Sequence, residues 1–152
     1  MNRVEVAVEG IAEPVWIPAL IEFAKRVLIR LGRDGWDLSL LLCDDLTMRG
    51  LNSQFRSKDE STDVLSFTLG ETVRDEEFGE RWAAGDIAIS LDMLAKNAAY
   101  FEVGEDEELR RLVVHGILHL DGNDHEDNES ERPMLRLQEE LMTELKGERI
   151  LP

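Results

Sequence analysis

The three histidines of the chain all fall within eleven residues, in the segment HGILHLDGNDH. His115 and His119 are four residues apart in a helical pattern, so their imidazoles are expected on one helix face, one turn apart. Gly122 allows the chain to turn out of this helix, and the loop that follows can carry His125 back toward the same face. This spacing predicts a metal site with His115, His119 and His125 as its ligands.

Zinc, one ion per chain, is the metal that we expect at this site. Neutral imidazole is a common zinc ligand, and three protein ligands leave the fourth tetrahedral position to water, as in catalytic zinc sites. Three uncharged ligands also leave the full charge of the ion on the site, which strongly acidifies a bound water. Nickel and copper would bind the same three imidazoles.

Other interpretations of these histidines stay open. His115 and His119 can be helix residues with ordinary hydrogen bonds, and the acids of the loop from Asp121 to Glu131 can be solvated or can orient the imidazoles. The peptidase pattern H-E-x-x-H has a glutamate directly after its first histidine, where this chain has Gly116. A peptidase would need its general base from elsewhere, and Gly116 is equally consistent with close packing of the helix on a sheet.

Four strands and five helices are predicted around the histidine segment. Strands are indicated by the alternation of Val4, Val6 and Val8 and by three short apolar runs, at 36–43, 64–67 and 86–91. Apolar spacings of three and four predict helices from Pro14 to Gly32, from Asp44 or Asp45 to Phe55, from Asp92 to Phe101, from Glu105 to Leu120 and from Glu129 to Lys146. Loops are predicted for Glu71–Gly85 and Gly122–Asn128. The sequence therefore favours an α/β (α+β) fold, a single domain over 1–152, with a mixed sheet of about four strands covered by about five helices.

Composition excludes several classes of protein. With 17 Lys+Arg against 33 Asp+Glu, the net charge is −16, which argues against charge-driven wrapping of nucleic acid and against adsorption to anionic membranes. Cys43 is the one cysteine, so an intrachain disulfide and a cysteine-based zinc cluster are excluded. No apolar run is long enough for a membrane span, and Glu5 and Glu9 interrupt the N-terminal segment where a signal peptide needs an apolar core. We therefore expect a cytoplasmic protein.

Two further blocks, read with the histidine segment, resemble a known family. The segment HGILHLDGNDH is similar to the H-G-x-L-H-L-x-G-x-D-H signature of the YbeY family, the bacterial endoribonucleases and rRNA maturation factors. The block NSQFRSKDESTDVLSF, which contains Asn52, Phe55, Arg56 and the run 61–67, resembles the family patterns N-x-x-[FY]-R and T-D-V-L-S-F-P, and 85–87 (GDI) matches a third block. Thr68 stands where the family has a proline, and Asn123 where an aromatic is common.

The resemblance implies a zinc-dependent, single-strand-specific endoribonuclease with a zincin-like metal-binding helix. It implies a role in maturation of the 3′ end of the small-subunit (16S) rRNA and in ribosome quality control. The implied metal ligands are His115, His119 and His125, and the implied catalytic residues are Arg56, His115 and His119. Two alternatives remain: a zinc hydrolase of another substrate class, and a non-catalytic ribosome assembly factor with a structural zinc.

The partners expected are an rRNA precursor and a protein that helps to deliver it, with no membrane. An acidic protein repels RNA at long range, so a productive site would need a local cluster of cations; the candidates are Arg49, Arg56, Lys58, Arg110 and Arg111. The acidic run of Glu102 and 105–108 is expected to be a solvated face that includes a helix N-terminus. It is also a candidate surface for a basic small-subunit ribosomal protein or a GTPase assembly factor.

Overall fold

Four strands form one mixed sheet in the computed structural model, which describes residues 1–123 and 132–152. The strands are β1 (Arg3–Glu9), β2 (Trp36–Cys43), β3 (Val64–Asp75) and β4 (Gly79–Ser90). Their order across the sheet is β1-β2-β4-β3. β1, β2 and β4 are parallel, and β3 runs antiparallel to β4 at the edge of the sheet. The predicted four-stranded mixed sheet is confirmed.

Five helices accompany the sheet in the described part of the chain. They are α1 (Ile17–Arg30), α2 (Asp45–Arg56), α3 (Leu91–Tyr100), α4 (Glu105–Leu120) and α5 (Pro133–Glu144). The last helix is shorter than the predicted 129–146, and the part of that prediction at 129–131, like most of the predicted loop at 122–128, lies outside the described residues. Within the described ranges, no helix is both long and apolar enough to cross a membrane.

Side-chain caps and proline position explain where two of these helices begin. The carboxylate of Asp44 accepts a hydrogen bond from the backbone N–H of Thr47 at 2.9 Å, so Asp44, one of the two predicted candidates, is the cap of α2. The predicted start of α1 at Pro14 is wrong, because the helix begins at Ile17 with Pro18 in its first turn. In a helix from Pro14, Pro18 would lie where a backbone N–H is already needed for the helical hydrogen bond.

The predicted loop at Glu71–Gly85 is wrong, because these residues form the outer half of a long hairpin. β3 continues to Asp75 and β4 begins at Gly79, with Thr72 opposite Trp82. The carboxylate of Asp75 accepts hydrogen bonds from the backbone N–H groups of both Glu77 and Phe78, at 2.8 and 2.9 Å, which closes the turn. The acidic composition of this segment concealed the strands, since most of its side chains are exposed and its sequence carries little apolar alternation.

Helix α4 lies against the sheet and is the most buried helix of the fold. It contacts β3, β4, α1, α3 and α5, and Leu109, Val113 and Ile117 are fully buried on it. A Cβ on Gly116 would lie 2.8 Å from Cγ2 of Ile87 on β4, so at this point the helix approaches the sheet as closely as a backbone can. Close packing, rather than a chemical role, accounts for Gly116.

The acidic run at the start of α4 is only partly solvated, which corrects the sequence-based expectation. Asp106 and Glu108 are buried, at 7% and 5% exposure. Asp106 accepts hydrogen bonds from the backbone N–H groups of Ile150 and Leu151, both at 2.8 Å, and pairs with Arg110 at 2.9 Å. This carboxylate holds the C-terminal segment against the core, a role that depends on contacts more than 40 residues away in sequence.

Candidate active site at the histidine pair

His115 and His119 face each other on the surface of α4. Their Nε2 atoms lie 3.1 Å apart, with ring centroids 4.7 Å apart and the two planes inclined by 72°. The pair is where the spacing of four residues predicts it, on one helix face and one turn apart. The two Nε2 atoms are therefore adjacent, within hydrogen-bonding distance of each other.

Gln138 of α5 contacts the outer ring nitrogen of His115. Its Oε1 atom lies 2.7 Å from Nδ1 of His115, and its Nε2 atom donates to Oε2 of Glu139 at 3.1 Å. The amide oxygen can only accept, so Nδ1 of His115 is the donor in this contact, and Nε2 is the nitrogen that faces His119. Sequence reasoning looked for this partner among the acids of the following loop and missed Gln138.

A sequence signal for Gln138 does exist. It is a polar residue, 7% exposed, on the face of α5 that also buries Met134, Leu141 and Met142. A polar side chain within an apolar stripe needs a hydrogen-bond partner, so it points to a buried polar group opposite. The nearest loop acid, Asp121, instead forms an ion pair with Arg33 at 2.8 Å.

The geometry of the pair fits a zinc ion. Two imidazole nitrogens bound to one tetrahedral zinc at about 2.0–2.1 Å lie about 3.3 Å apart, close to the 3.1 Å observed between the Nε2 atoms. The predicted third ligand, His125, lies in 124–131, outside the described residues. Among the residues that are described, no group of three His, Cys, Asp or Glu side chains converges on a point that could hold a metal.

A pocket of about 580 Å³ opens over the histidine pair. β3 forms one wall with Val64, Leu65, Ser66 and Thr68, α4 forms another, and Arg56 closes one side. Thr68 and Asn123, the two positions where the chain departs from the pattern that it resembles, both line this pocket. The arrangement brings two candidate metal ligands and a guanidinium to one solvent-accessible cleft.

Arg56 reaches this pocket from the last turn of α2. Its Nη2 atom donates to the main-chain oxygen of Ser66 at 2.7 Å, and its guanidinium lies over the ring of Phe67, 5.4 Å from the centroid. The next residue, Ser57, has a left-handed conformation with φ of 58°, which ends the helix directly after Arg56. One anchoring hydrogen bond uses one of the five N–H donors of a guanidinium, and a planar fork of this kind matches a phosphate.

The expected cluster of cations does not form. Of the five candidates, all of which are described, Arg56 is the one that lines the histidine pocket. Arg49 pairs with Asp59 at 2.9 Å, and Arg110 is buried against Asp106. Arg111 pairs with Glu139 at 2.9 Å and lies in a neighbouring pocket that also contains His115 and Gln138. Each of the three other arginines is held by a nearby acid, which is the expected consequence of a large excess of carboxylates.

Glu108 is a second feature that the sequence-based interpretation missed. It lies in the neighbouring pocket, of about 350 Å³, beside His115, Arg111 and Gln138. Burial raises the pKa of its carboxyl above the usual value, and the guanidinium of Arg111, 3.9 Å away, opposes that rise. A buried carboxyl therefore lies in a pocket that His115 also lines.

Three further polar residues belong to the two sequence blocks at 52–67 and 85–87. Asp63 accepts a hydrogen bond from the amide of Asn97 at 2.9 Å, which joins the start of β3 to α3. Asp86 lines two other pockets of the molecule, each shared with Ser39, rather than the histidine pocket. Ser66 donates to the main-chain oxygen of Gly116 at 3.5 Å.

Comparisons with known proteins give one answer. The family model described as Endoribonuclease YbeY matches residues 14–146. The Endoribonuclease YbeY of Treponema denticola is 51% identical over 131 residues, covering 86% of this chain and 84% of the relative. That of Treponema pallidum is 41% identical over 144 residues, covering 95% and 90%.

A solved structure supports the fold. The solution structure of TM1509 from Thermotoga maritima superposes with a TM-score of 0.65 at 29% identity, covering 97% of this chain and 91% of that one. The predicted fold class is thereby confirmed at the level of a whole-chain structural neighbour. From the extent of the family match and the identity to these relatives, the chain belongs to the endoribonuclease YbeY family.

Proposed function

We propose that this chain is a zinc-dependent, single-strand-specific endoribonuclease whose active site is the pocket shared by His115, His119 and Arg56. Membership of an endoribonuclease family makes it a hydrolase of the nuclease class, with RNA as the substrate class. The observation that carries the proposal for the site is the 3.1 Å approach of the two Nε2 atoms in the pocket that Arg56 lines. We further propose that the reaction belongs to maturation of the 3′ end of 16S rRNA and to ribosome quality control, in the cytoplasm.

His115, His119 and His125 would hold the zinc ion. When bound, the ion would polarise a phosphoryl oxygen and acidify a bound water. Nε2 of His115 is turned toward His119 because the opposite ring nitrogen, Nδ1, donates to Gln138. The orientation of His115 is thus fixed before any ligand arrives, so little reorganisation is needed on binding.

Arg56 would hold the scissile phosphate. Its anchor on Ser66 limits the motion of the guanidinium while leaving further N–H donors for a phosphate. Cleavage of RNA increases the negative charge on the phosphoryl oxygens in the transition state, and a guanidinium in a partly enclosed pocket stabilises that charge. Arg56 therefore acts in binding and in charge stabilisation, with no proton transfer required of it.

The charge distribution predicts that the chain by itself binds RNA with low affinity. The net charge is −16, and Arg56 is the one cation among the described residues that line the pocket. Few phosphate contacts give a small salt dependence, about −0.7 in log K per contact for single strands. A delivering partner is consistent with this, and we propose a basic small-subunit ribosomal protein or a GTPase assembly factor. The exposed acids Glu102 and Glu105 are candidate contacts for it.

A peptidase is disfavoured by two contacts. The backbone of Gly116 lies too close to Ile87 to accept the glutamate of the H-E-x-x-H pattern. Arg56 occupies the main-chain oxygen of Ser66 on the edge strand beside the histidines, where an extended peptide would add as a further strand. The other alternative is a non-catalytic assembly factor with a structural zinc. Whether the protein cleaves RNA distinguishes this alternative from the proposed nuclease.

The test is metal content and RNA cleavage measured on the same preparation. We expect one zinc per wild-type chain, cleavage of single-stranded rRNA segments but not of duplex, and loss of both zinc and cleavage in His119→Ala. Zinc that is present without cleavage of any RNA would favour the assembly factor, and cleavage of peptides would favour the other hydrolase. Wild-type protein that binds no zinc would overturn the proposed metal site.

The proposed partner is tested separately. Pull-down with the wild-type chain should recover basic ribosomal proteins or a GTPase, and the Glu102→Lys, Glu105→Lys double variant should lose them. Recovery that is unchanged in the double variant would exclude this acidic surface as the contact.

A further inference from the structure

Gln138 connects the histidine pair to an ion pair that joins α5 to α4. Its Oε1 atom accepts from Nδ1 of His115 at 2.7 Å, and its Nε2 atom donates to Oε2 of Glu139 at 3.1 Å. The carboxylate of Glu139 can only accept, so the end of the amide that faces it must be the N–H end. A rotation of the amide by 180° would place its oxygen against this carboxylate, so the orientation with Oε1 toward His115 is favoured.

Glu139 is itself held in place by Arg111. Nε of Arg111 donates to Oε2 at 2.9 Å and Nη2 donates to Oε1 at 3.0 Å, a two-point contact of guanidinium and carboxylate. Glu107 gives Arg111 a further acidic partner at 3.2 Å. Such paired contacts restrict both side chains more than a single hydrogen bond does.

This series of contacts begins and ends on the same helix, α4. Arg111 lies on α4, one turn before His115, while Gln138 and Glu139 lie on α5. The sequence of contacts therefore runs from α4 to α5 and returns to α4 at His115. A shift of α5 relative to α4 would disturb the ion pair and the imidazole together.

We propose that Gln138 is a positioning residue, which holds His115 with Nδ1 protonated and Nε2 turned toward His119, and that the Arg111–Glu139 pair sets the orientation of its amide. The inference rests on the proposed zinc site, since it gives the reason why Nε2 must be unprotonated. A hydrogen bond of this kind to the other ring nitrogen fixes the tautomer and orientation of a metal-binding histidine. If Gln138 had only a structural role, its buried amide would need hydrogen-bond partners, but it would not control the tautomer of His115.

The test compares Gln138→Met with Gln138→Glu. Methionine has a similar volume and no strong acceptor, whereas glutamate keeps an acceptor oxygen for Nδ1–H. Glu140→Gln, at an exposed position on the same helix, is the matched control. The readouts are zinc affinity by chelator competition and the nitrogen-15 NMR signals of His115 in metal-free protein, assigned by comparison with His115→Ala.

We expect Gln138→Met to weaken zinc affinity about 10- to 100-fold, and the Nδ1–H form of His115 to lose its dominance. Gln138→Glu should retain the Nδ1–H form of His115 and weaken zinc affinity less than Gln138→Met does, because it keeps the acceptor oxygen although its second oxygen then faces Glu139. Glu140→Gln should match wild type. Glu139→Ala should weaken affinity by less than Gln138→Met, because the amide then loses only the contact that orients it. Zinc affinity and tautomer unchanged in Gln138→Met would overturn the proposal.

The outcome also separates this proposal from the one on which it rests. Wild-type protein without zinc affinity would remove the zinc site, yet the tautomer of His115 in the metal-free variants would still report whether Gln138 controls it. If Gln138→Met fails to fold, Gln138→Asn is the second variant, because it withdraws the amide by one methylene and remains polar. A Gln138→Asn protein with wild-type tautomer and zinc affinity would overturn the proposal equally.

Discussion

Arg56 donates from Nη2 to the main-chain oxygen of Ser66, 2.7 Å away, and this contact joins the end of α2 to the edge strand of the histidine pocket. Arg56 is the last residue of α2, and Ser66 lies on β3, the next element along the chain after a short loop. The guanidinium is therefore positioned by backbone that belongs to the sheet. Removal of its charge should affect function far more than stability.

Replacement of Arg56 by glutamine should lower kcat/KM for RNA about 100-fold, the usual effect of losing one donor to a developing anion. Arg56→Lys should recover little of this, because an ammonium lacks the two-point fork. Zinc content should remain at the wild-type value, since Arg56 is not a proposed ligand. Steady-state cleavage of a labelled single-stranded RNA, with metal analysis of each sample, measures both.

The matched control for this prediction is Arg49→Gln. Arg49 lies on the same helix, is exposed, and pairs with Asp59 away from the pocket. Arg49→Gln removes the same charge as Arg56→Gln. An equal loss of activity in both variants would mean that the change in total charge, rather than the loss of a contact with the phosphate, causes the loss.

A methyl group on Gly116 should destabilise the fold even though alanine is the better helix former. Its Cβ would lie 2.8 and 2.9 Å from Cγ2 and Cδ1 of Ile87, and such overpacking costs about 1–3 kcal/mol. The gain in helix propensity returns at most about 1 kcal/mol. The free energy of unfolding from urea titration should therefore fall in Gly116→Ala.

Gly50 supplies the opposite expectation on another helix. It lies within α2, and a Cβ there would meet nothing within 4 Å, so Gly50→Ala should raise the free energy of unfolding by about 0.5–1 kcal/mol.

The double variant Gly116→Ala, Ile87→Ala tests the packing explanation directly. The two losses of stability should be less than additive, because Ile87→Ala removes the atoms that clash with the new methyl group. Strict additivity would contradict the packing explanation.

Asp37 should make the stability of the protein depend on acid pH. Hydrogen bonds from Arg3, and then from Arg81, outweigh the effect of burial and lower the pKa of this carboxyl to about 2. Since the pKa is lower in the folded protein than the unfolded value of about 3.9, the stabilisation is present in full above about pH 4 and is lost as pH falls toward 2. Its size at neutral pH, allowing for screening by solvent, is about 1–2 kcal/mol.

The variant Asp37→Asn tests this dependence. At neutral pH it should be less stable than wild type by about 2–3 kcal/mol, because Arg81, with a side chain 4% exposed, then loses its carboxylate. The difference between the two proteins should shrink between pH 4 and pH 2 in urea titrations. A difference that stays constant over that range would exclude Asp37 as its source.

Asp106 should be required to hold the C-terminal segment. Asp106→Ala removes the acceptor of two backbone N–H groups, at Ile150 and Leu151, and leaves Arg110 buried without its partner. We expect a loss of about 3 kcal/mol in the free energy of unfolding and faster amide exchange at these two residues. Glu105→Ala, in the same turn but exposed, should cost less than about 1 kcal/mol.

Local patterns predicted most of the elements because their signals lie within a few residues. The strand at 36–43 and the helix at 105–120 were predicted with their observed bounds, since continuous burial and helical spacing show directly in residue type. The hairpin at 64–90 was recognised only in its inner halves. Most side chains of its outer halves are exposed, and these halves are stabilised by strand pairing, β3 with β4 and, at Trp82 and Ala83, β4 with β2. Such pairing has no counterpart in the composition of any one strand.

Residue types and their spacing establish the chemistry that is available: three histidines at a spacing that suits a metal, one arginine in a recognisable block, and a glycine where a peptidase has its base. The packing of the helices and the sheet controls which of these groups meet. It brought Arg56 to the histidine pocket, and it assigned Asp106 and Asp121 to structural ion pairs. It also placed Gln138, 23 residues further along the chain, on Nδ1 of His115. Helical spacing relates residues within a turn or two, whereas a contact between α4 and α5 depends on how two helices pack, and no periodicity in either helix encodes that packing.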